Sequence, residues 1–372
     1  AALVEHRQPS GTMAMAAFWN RGRAAPIGIR LDEEGSARID EYVAGQIPPD
    51  VPGMALAVVE AGTVVHAAGY GLADFDNERP IAPETIFHLA SCGKQFTGLG
   101  ILMLAEERRL NLDDPIGKHF PSLAGFGPEV TLRRLLHHTS GIGDLYDDIG
   151  ENEALSLWDR PTNANIIELY AKLGCPMAAQ GVRPGDDFVY SNSGYELLGS
   201  VIENASGESY HDFFQRRVFD PLGMKDTFSV PDPREHDSRR AIAYGINERD
   251  EWVEEGDSPF DGMVGSGSFY TTIGDLCLYD QALNRNGLIS QAAMREALTS
   301  GRKNNGDLTG YGFGWFLDDY KGMPFAEHKG NWIGFNSYIR RYLERPLSFY
   351  VLLNSPEIDF SELATVVTDT YG

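Results

Sequence analysis

The 372-residue chain is poor in cysteine, poor in lysine, and without a long apolar run. Cys92, Cys175 and Cys277 are odd in number, far apart and lack C-x-x-C spacing, so neither a disulfide framework nor a zinc site is indicated. Reduced thiols in or near the core are expected instead. The longest helix-like apolar stretch, around residues 99–105, is far short of the ~20 residues a bilayer requires, so no membrane span is expected. Only seven of the 31 basic residues are lysines, and 54 acidic residues bring the net charge to −23. Such a surface repels phosphate backbones and anionic lipid, which argues against a nucleic-acid or membrane-surface partner. No metal-ligand spacing is evident: His137-His138 has no acidic partner at ligand distance and reads as structural. No metal or organic cofactor is expected. Residues 1–30 open without Met and lack the order of a signal peptide; they read as an N-terminal extension and leave the compartment open.

What is present is core-forming: 42% apolar and 11% aromatic residues, with no internal repeat or low-complexity tract. Asp32 followed by Ile39, Val43 and Ile47 reads as a capped amphipathic helix that stops at Pro48-Pro49. The apolar runs 54–60 and 63–69, parted by Ala61-Gly62, read as a hairpin. A second hairpin is expected over 336–343 and 347–354, and a closing helix over 359–371. The middle carries helix candidates at 99–109, 132–137, 163–173, 195–203 and 210–218, joined by Gly- and Pro-rich loops. The expectation is therefore an α/β fold whose antiparallel sheet is built from both termini and flanked by helices. Residues 31–100 and 262–372 would form that α/β subdomain, and 101–261 an inserted, mostly helical one.

Three short segments carry candidate chemistry. In Ser91-Cys92-Gly93-Lys94, an apolar helical run follows, so Ser91 falls at a helix start with Lys94 on the same face. A serine hydroxyl needs a base to become a nucleophile. A neutral lysine serves, but bringing its usual pKa of about 10.4 down to about 7 requires on the order of 4 kcal/mol from burial or positive neighbours. Ser-x-x-Lys by itself is weak, since roughly 0.4 such pairs arise by chance in this composition. Tyr190-Ser191-Asn192 lies in a loop before a helix, where Tyr190 can pass a proton and Asn192 can bond Lys94 or a substrate carbonyl. In Glu327-His328-Lys329-Gly330-Asn331, His328 is expected on a sheet strand and Gly330 is expected to let substrate approach the backbone. The Asn331 N–H would then join the Ser91 N–H in an oxyanion hole.

In this order the three segments resemble the serine β-lactamase and penicillin-binding-protein superfamily, whose pattern is Ser-x-x-Lys, Tyr-x-Asn, then Lys-Thr-Gly or His-x-Gly. Residues 135–142 (Leu-Leu-His-His-Thr-Ser-Gly-Ile), 221–224 (Pro-Leu-Gly-Met) and 310–314 (Gly-Tyr-Gly-Phe-Gly) look like linking segments of the same group, and the glycine-rich 262–267 like a cleft-lining one. The resemblance covers about 51–354 and is strongest to the class C-like branch of esterases, D-aminopeptidases and DD-peptidases. The third segment departs from class C β-lactamases, which carry Lys-Thr-Gly. His328 lacks their fixed charge for a substrate carboxylate, although an imidazole titrating near 6.5 becomes cationic below that pH. Lys329, on the opposite strand face, need not replace it.

The resemblance implies a serine hydrolase that acylates Ser91 and acts on small esters, amides or peptides, with Lys94 and Tyr190 handling the proton. A DD-peptidase, a β-lactamase and an acyltransferase are its rivals within the fold. A non-enzymatic scaffold is disfavoured by the intact Ser91, Lys94 and Tyr190.

Overall fold

Both ends of the chain build one sheet. In the computed structural model, the described residues are 28–144, 160–173, 181–230, 232, 236–256, 258–285, 287–356 and 358–372. Most of the expected N-terminal extension (1–27) and Cys175 lie outside them. The sheet strands are β1 (Gly28–Ile29), β2 (Met54–Glu60), β3 (Thr63–Tyr70), β4 (Phe316–Tyr320), β5 (Met323–Trp332), β6 (Phe335–Tyr342) and β7 (Leu347–Leu353). Their order is β1-β3-β2-β7-β6-β5-β4, antiparallel except for the β1–β3 pair. Pairing of β7 with β2, Leu353 opposite Met54, joins the C-terminal meander to the N-terminal hairpin. That hairpin turns through Ala61 (φ 49°) and Gly62 (φ 75°), the doubly left-handed turn that matches strand twist.

Strand β2 is apolar at nearly every position because both its faces are covered. Met54, Leu56 and Val58 pack under helices α1 (Glu33–Gln46) and α6 (Phe360–Tyr371), together with Ile39, Val43, Leu363 and Val367. Ala55, Ala57 and Val59 face the larger core on the other side. Asp32 stands at the N-cap position of α1 but makes no side-chain capping bond; Glu33 and Glu34 instead place negative charge in the first turn.

The larger core holds four longer helices, α2 (Lys94–Glu106), α3 (Asn163–Leu173), α4 (Asn192–Ser206) and α5 (Ile273–Asn284), among shorter ones. Helix α2 is buried on almost every side and packs against α4. Helix α4 starts three residues earlier than its apolar periodicity suggested, because the Ser191 side chain caps it by accepting from Gly194 N at 2.9 Å. Segment 210–218 begins as an α-helix (Tyr210–Phe214) and then widens into a π-helical turn (Gln215–Phe219). Cys92 and Cys277 are buried, and among the described residues no helix is long and apolar enough to cross a membrane.

Candidate active site

Ser91 sits in a 3-10 turn, Ala90–Gly93, that runs directly into α2. Ala90 is held at φ 48°, a costly conformation for a residue with a Cβ. The turn is clamped from two sides. A Cβ on Gly267 would come within 2.7 Å of the Ala90 backbone, and one on Gly330 would meet Leu89 O at 2.8 Å and Ala90 Cβ at 2.9 Å. Ser337 Oγ adds a 2.6 Å hydrogen bond to Leu89 O. The room left by the missing Cβ of Gly330 is thus filled by the Ser91 turn and Ser337.

Lys94 is fully buried, and its Nζ lies 3.0 Å from Ser91 Oγ. Two further acceptors, Asn192 Oδ1 at 2.6 Å and Ser266 O at 2.7 Å, complete three hydrogen bonds around it. Each acceptor is itself oriented. Asn192 Nδ2 donates to Asp144 Oδ2 at 2.8 Å, and Ser193 N donates to the other Asp144 oxygen at 2.9 Å. Ser266 Oγ donates to Glu196 Oε1 at 3.1 Å. Burial raises the Asp144 carboxyl above its usual range. Burial first, then the charge of Asp144, pushes Glu196 up to about 8. Nothing in local sequence spacing marked Asp144 or Ser266. Glu196, one helical turn after Asn192 on a face otherwise apolar, was open to detection by its i,i+4 relation.

Tyr190 is half-buried, with Lys94 Nζ 4.9 Å from its ring centroid. Its ring packs on His138 (centroids 4.3 Å apart) and faces His328 at 6.2 Å. His138 is structural, as expected, but its place is specific. Its Nδ1 accepts from Ser191 N at 3.0 Å, so it pins the loop that presents Tyr190 and Asn192. Burial keeps its ring neutral, far below the usual histidine range.

His328 lies on β5 as expected, yet it turns into the core and both ring nitrogens are engaged. Nδ1 donates to Lys329 O at 2.6 Å, which leaves Nε2 to accept from Tyr311 OH at 3.0 Å. Burial, aided by the charge of Lys94, pushes its pKa down to about 3. The expected protonation near pH 6.5 is therefore corrected: the ring stays neutral throughout the physiological range. Lys329 is exposed on the opposite strand face, with Nζ 5.5 Å from the Phe360 ring centroid.

A cleft of about 100 Å³ opens beside Ser91. Ser91, Asn192 and Asn331 share its wall with His88, Glu196, Asp261, Trp332, Phe260 and the segment 266–268. Gly330 and His328 support the wall from behind. The Asn331 side chain is turned aside by its 2.8 Å bond to Asn336 Oδ1. Among the described residues no group of His, Cys, Asp and Glu could hold a metal ion.

Comparison with known proteins agrees with this architecture. The chain is 32% identical over 314 residues to penicillin-binding protein 4* of Bacillus subtilis, covering 80% of this chain and 67% of that one. It is 29% identical to protein flp of Staphylococcus aureus over 87% of this chain but 64% of the relative, so both relatives carry about a third of their length outside the match. Among solved structures, an octameric penicillin-binding protein homologue from Pyrococcus abyssi superposes with a TM-score of 0.78 at 28% identity, over 90% of this chain and 77% of that one. The D-amino acid amidase of Ochrobactrum anthropi SV3, complexed with L-phenylalanine amide, does so with a TM-score of 0.72 at 25% identity, over 91% and 99%. The beta-lactamase family pattern spans residues 37–370, and the chain belongs to that family of serine hydrolase relatives.

Proposed function

We propose that the protein is a serine hydrolase that forms an acyl-enzyme on Ser91 and cleaves small, neutral or cationic esters or amides. The observation that carries this reading is the 3.0 Å contact between Lys94 Nζ and Ser91 Oγ at the wall of an open cleft. In its neutral amine form Lys94 takes the Ser91 proton as the hydroxyl attacks the carbonyl carbon, and the two carbonyl π electrons move to oxygen. The Ser91 and Asn331 N–H groups receive the oxyanion. As the oxyanion collapses, the leaving group departs with a proton delivered by way of Tyr190, and water repeats the sequence in reverse to free Ser91.

Preference against β-lactams is supported by charge. No lysine or arginine is among the described residues lining the cleft, and His328 is neutral and behind the wall. A penicillin carboxylate would enter beside Glu196 and Asp261 without a charge-assisted bond, a loss of about 1.5–3 kcal/mol in binding. The test is the ratio of kcat/KM for a p-nitrophenyl ester to that for a chromogenic cephalosporin at neutral pH. The ester is expected to be preferred at least ~10-fold. A cephalosporin turned over more efficiently would overturn the esterase or amidase reading in favour of a β-lactamase.

A further inference from the structure

Phe316 opens strand β4 and is 37% exposed, the one aromatic among the exposed large apolar side chains of the described residues. A lone exposed apolar residue is ordinary on a protein surface. This one is set apart by where it stands. The turn before it is closed by hydrogen bonds from Gly312 N to Trp315 O and from Leu317 N to Gly310 O, both 2.7 Å. Within that turn Gly314, at φ 81°, presses on the start of α2, where an added Cβ would lie 2.6 Å from the Lys94 carbonyl carbon. The helix that carries the base therefore also fixes the position of Phe316. Tyr311 and His328 back its ring, with centroids 4.7 and 5.2 Å away. The Tyr190 ring lies nearly parallel to it, 9° between planes and 6.5 Å between centroids.

We propose that Phe316 selects the leaving group, so that the preferred substrates are esters or amides whose alcohol or amine part carries an aromatic ring. This inference rests on the acyl-enzyme reading of Ser91. In that reading the leaving atom receives its proton by way of Tyr190, so it lies at the Tyr190 hydroxyl when its bond to the carbonyl carbon breaks. The group attached to that atom then extends past Tyr190. The cleft walled by Asn192, Glu196 and Trp332 includes neither Tyr190 nor Phe316, which leaves it to the acyl part of the substrate. Of the rings packed around Tyr190, His138, Tyr311 and His328 are buried, whereas Phe316 is open to solvent. An aromatic ring laid on Phe316 gains ring–ring attraction in addition to burial, and a saturated ring of the same size gains burial alone.

The test compares kcat/KM for benzyl acetate and cyclohexylmethyl acetate, which share an acyl group and differ in the aromaticity of the leaving group. The wild type is expected to favour the benzyl ester by ~2- to 12-fold, the span of one aromatic pair. Phe316→Leu keeps the apolar bulk and should bring the two esters to about equal kcat/KM. Taking the ratio within each protein cancels any general loss of turnover that the substitution causes. A wild type with no benzyl preference, or one that turns over p-nitrophenyl acetate but neither of these esters, overturns the proposal without any variant. A benzyl preference that survives Phe316→Leu overturns it as well. Failure of the underlying reading shows separately, as wild-type protein that does not hydrolyse p-nitrophenyl acetate or a Ser91→Ala protein that does.

Discussion

At the scale of single residues, the site is a set of polar groups each held by the next. Lys94 sits at hydrogen-bond distance from Ser91, and its orientation depends on Asn192 and Ser266, which depend in turn on Asp144 and Glu196. Lys94 Nζ also lies over the Tyr190 ring, which is backed by His138. If Lys94 and Tyr190 serve one proton path, Lys94→Ala and Tyr190→Phe should each lower kcat on an ester substrate by at least ~100-fold. The double variant should fall little further than the worse single one. Steady-state kinetics of the four proteins checks this, and multiplicative losses would separate the two roles. Ser91, Lys94 and Asn192 were legible because helix geometry and motif order fix their neighbourhood from spacing alone. The burial of Glu196 and the inward turn of His328 were not, since partners such as Ser266, 70 positions from Glu196, and Tyr311, 17 positions from His328, are brought in only by the fold.

At the scale of elements, the position of Ser91 depends on how closely strand β5 and segment 266–268 press on the turn before α2. Glycine at 330 is required by packing: its absent Cβ leaves space that Leu89 O, Ala90 Cβ and Ser337 Oγ occupy. Gly330→Ala should therefore destabilise the fold by about 1–3 kcal/mol, the range for overpacking a close contact. It should also lower kcat, because the turn carrying Ser91 has to shift. Chemical denaturation and ester turnover of the variant measure both, and wild-type stability with wild-type turnover would contradict the packing account. The two hairpins and the closing helix were readable from alternation and from turn residues. The short strand β1, which pairs in parallel, and the full length of β5 were not, because two residues carry no periodicity and β5 passes through Pro, Gly and charged positions.

At the scale of the whole molecule, one sheet made from the two ends of the chain presents β5 to the Ser91 turn on its larger-core side, while α4 and the 263–268 segment close the cleft opposite. That arrangement was legible as a fold class, from strand-like ends around a helical middle. The motif order added what composition did not, since a net charge of −23 describes the surface and leaves the buried chemistry unspecified. The cleft's own charge is a separate property, set by Glu196 and Asp261 in its lining, and it follows only from the assembled structure. The central claim is covalent chemistry at one atom, Ser91 Oγ. Its most direct test is rapid acid quench of the protein during turnover of a p-nitrophenyl ester, followed by intact-mass and peptide analysis. The account predicts a stoichiometric adduct with the mass of the acyl group on the peptide containing Ser91, absent from Ser91→Ala. An adduct on another residue, or one that forms at the same rate in Ser91→Ala, would contradict it.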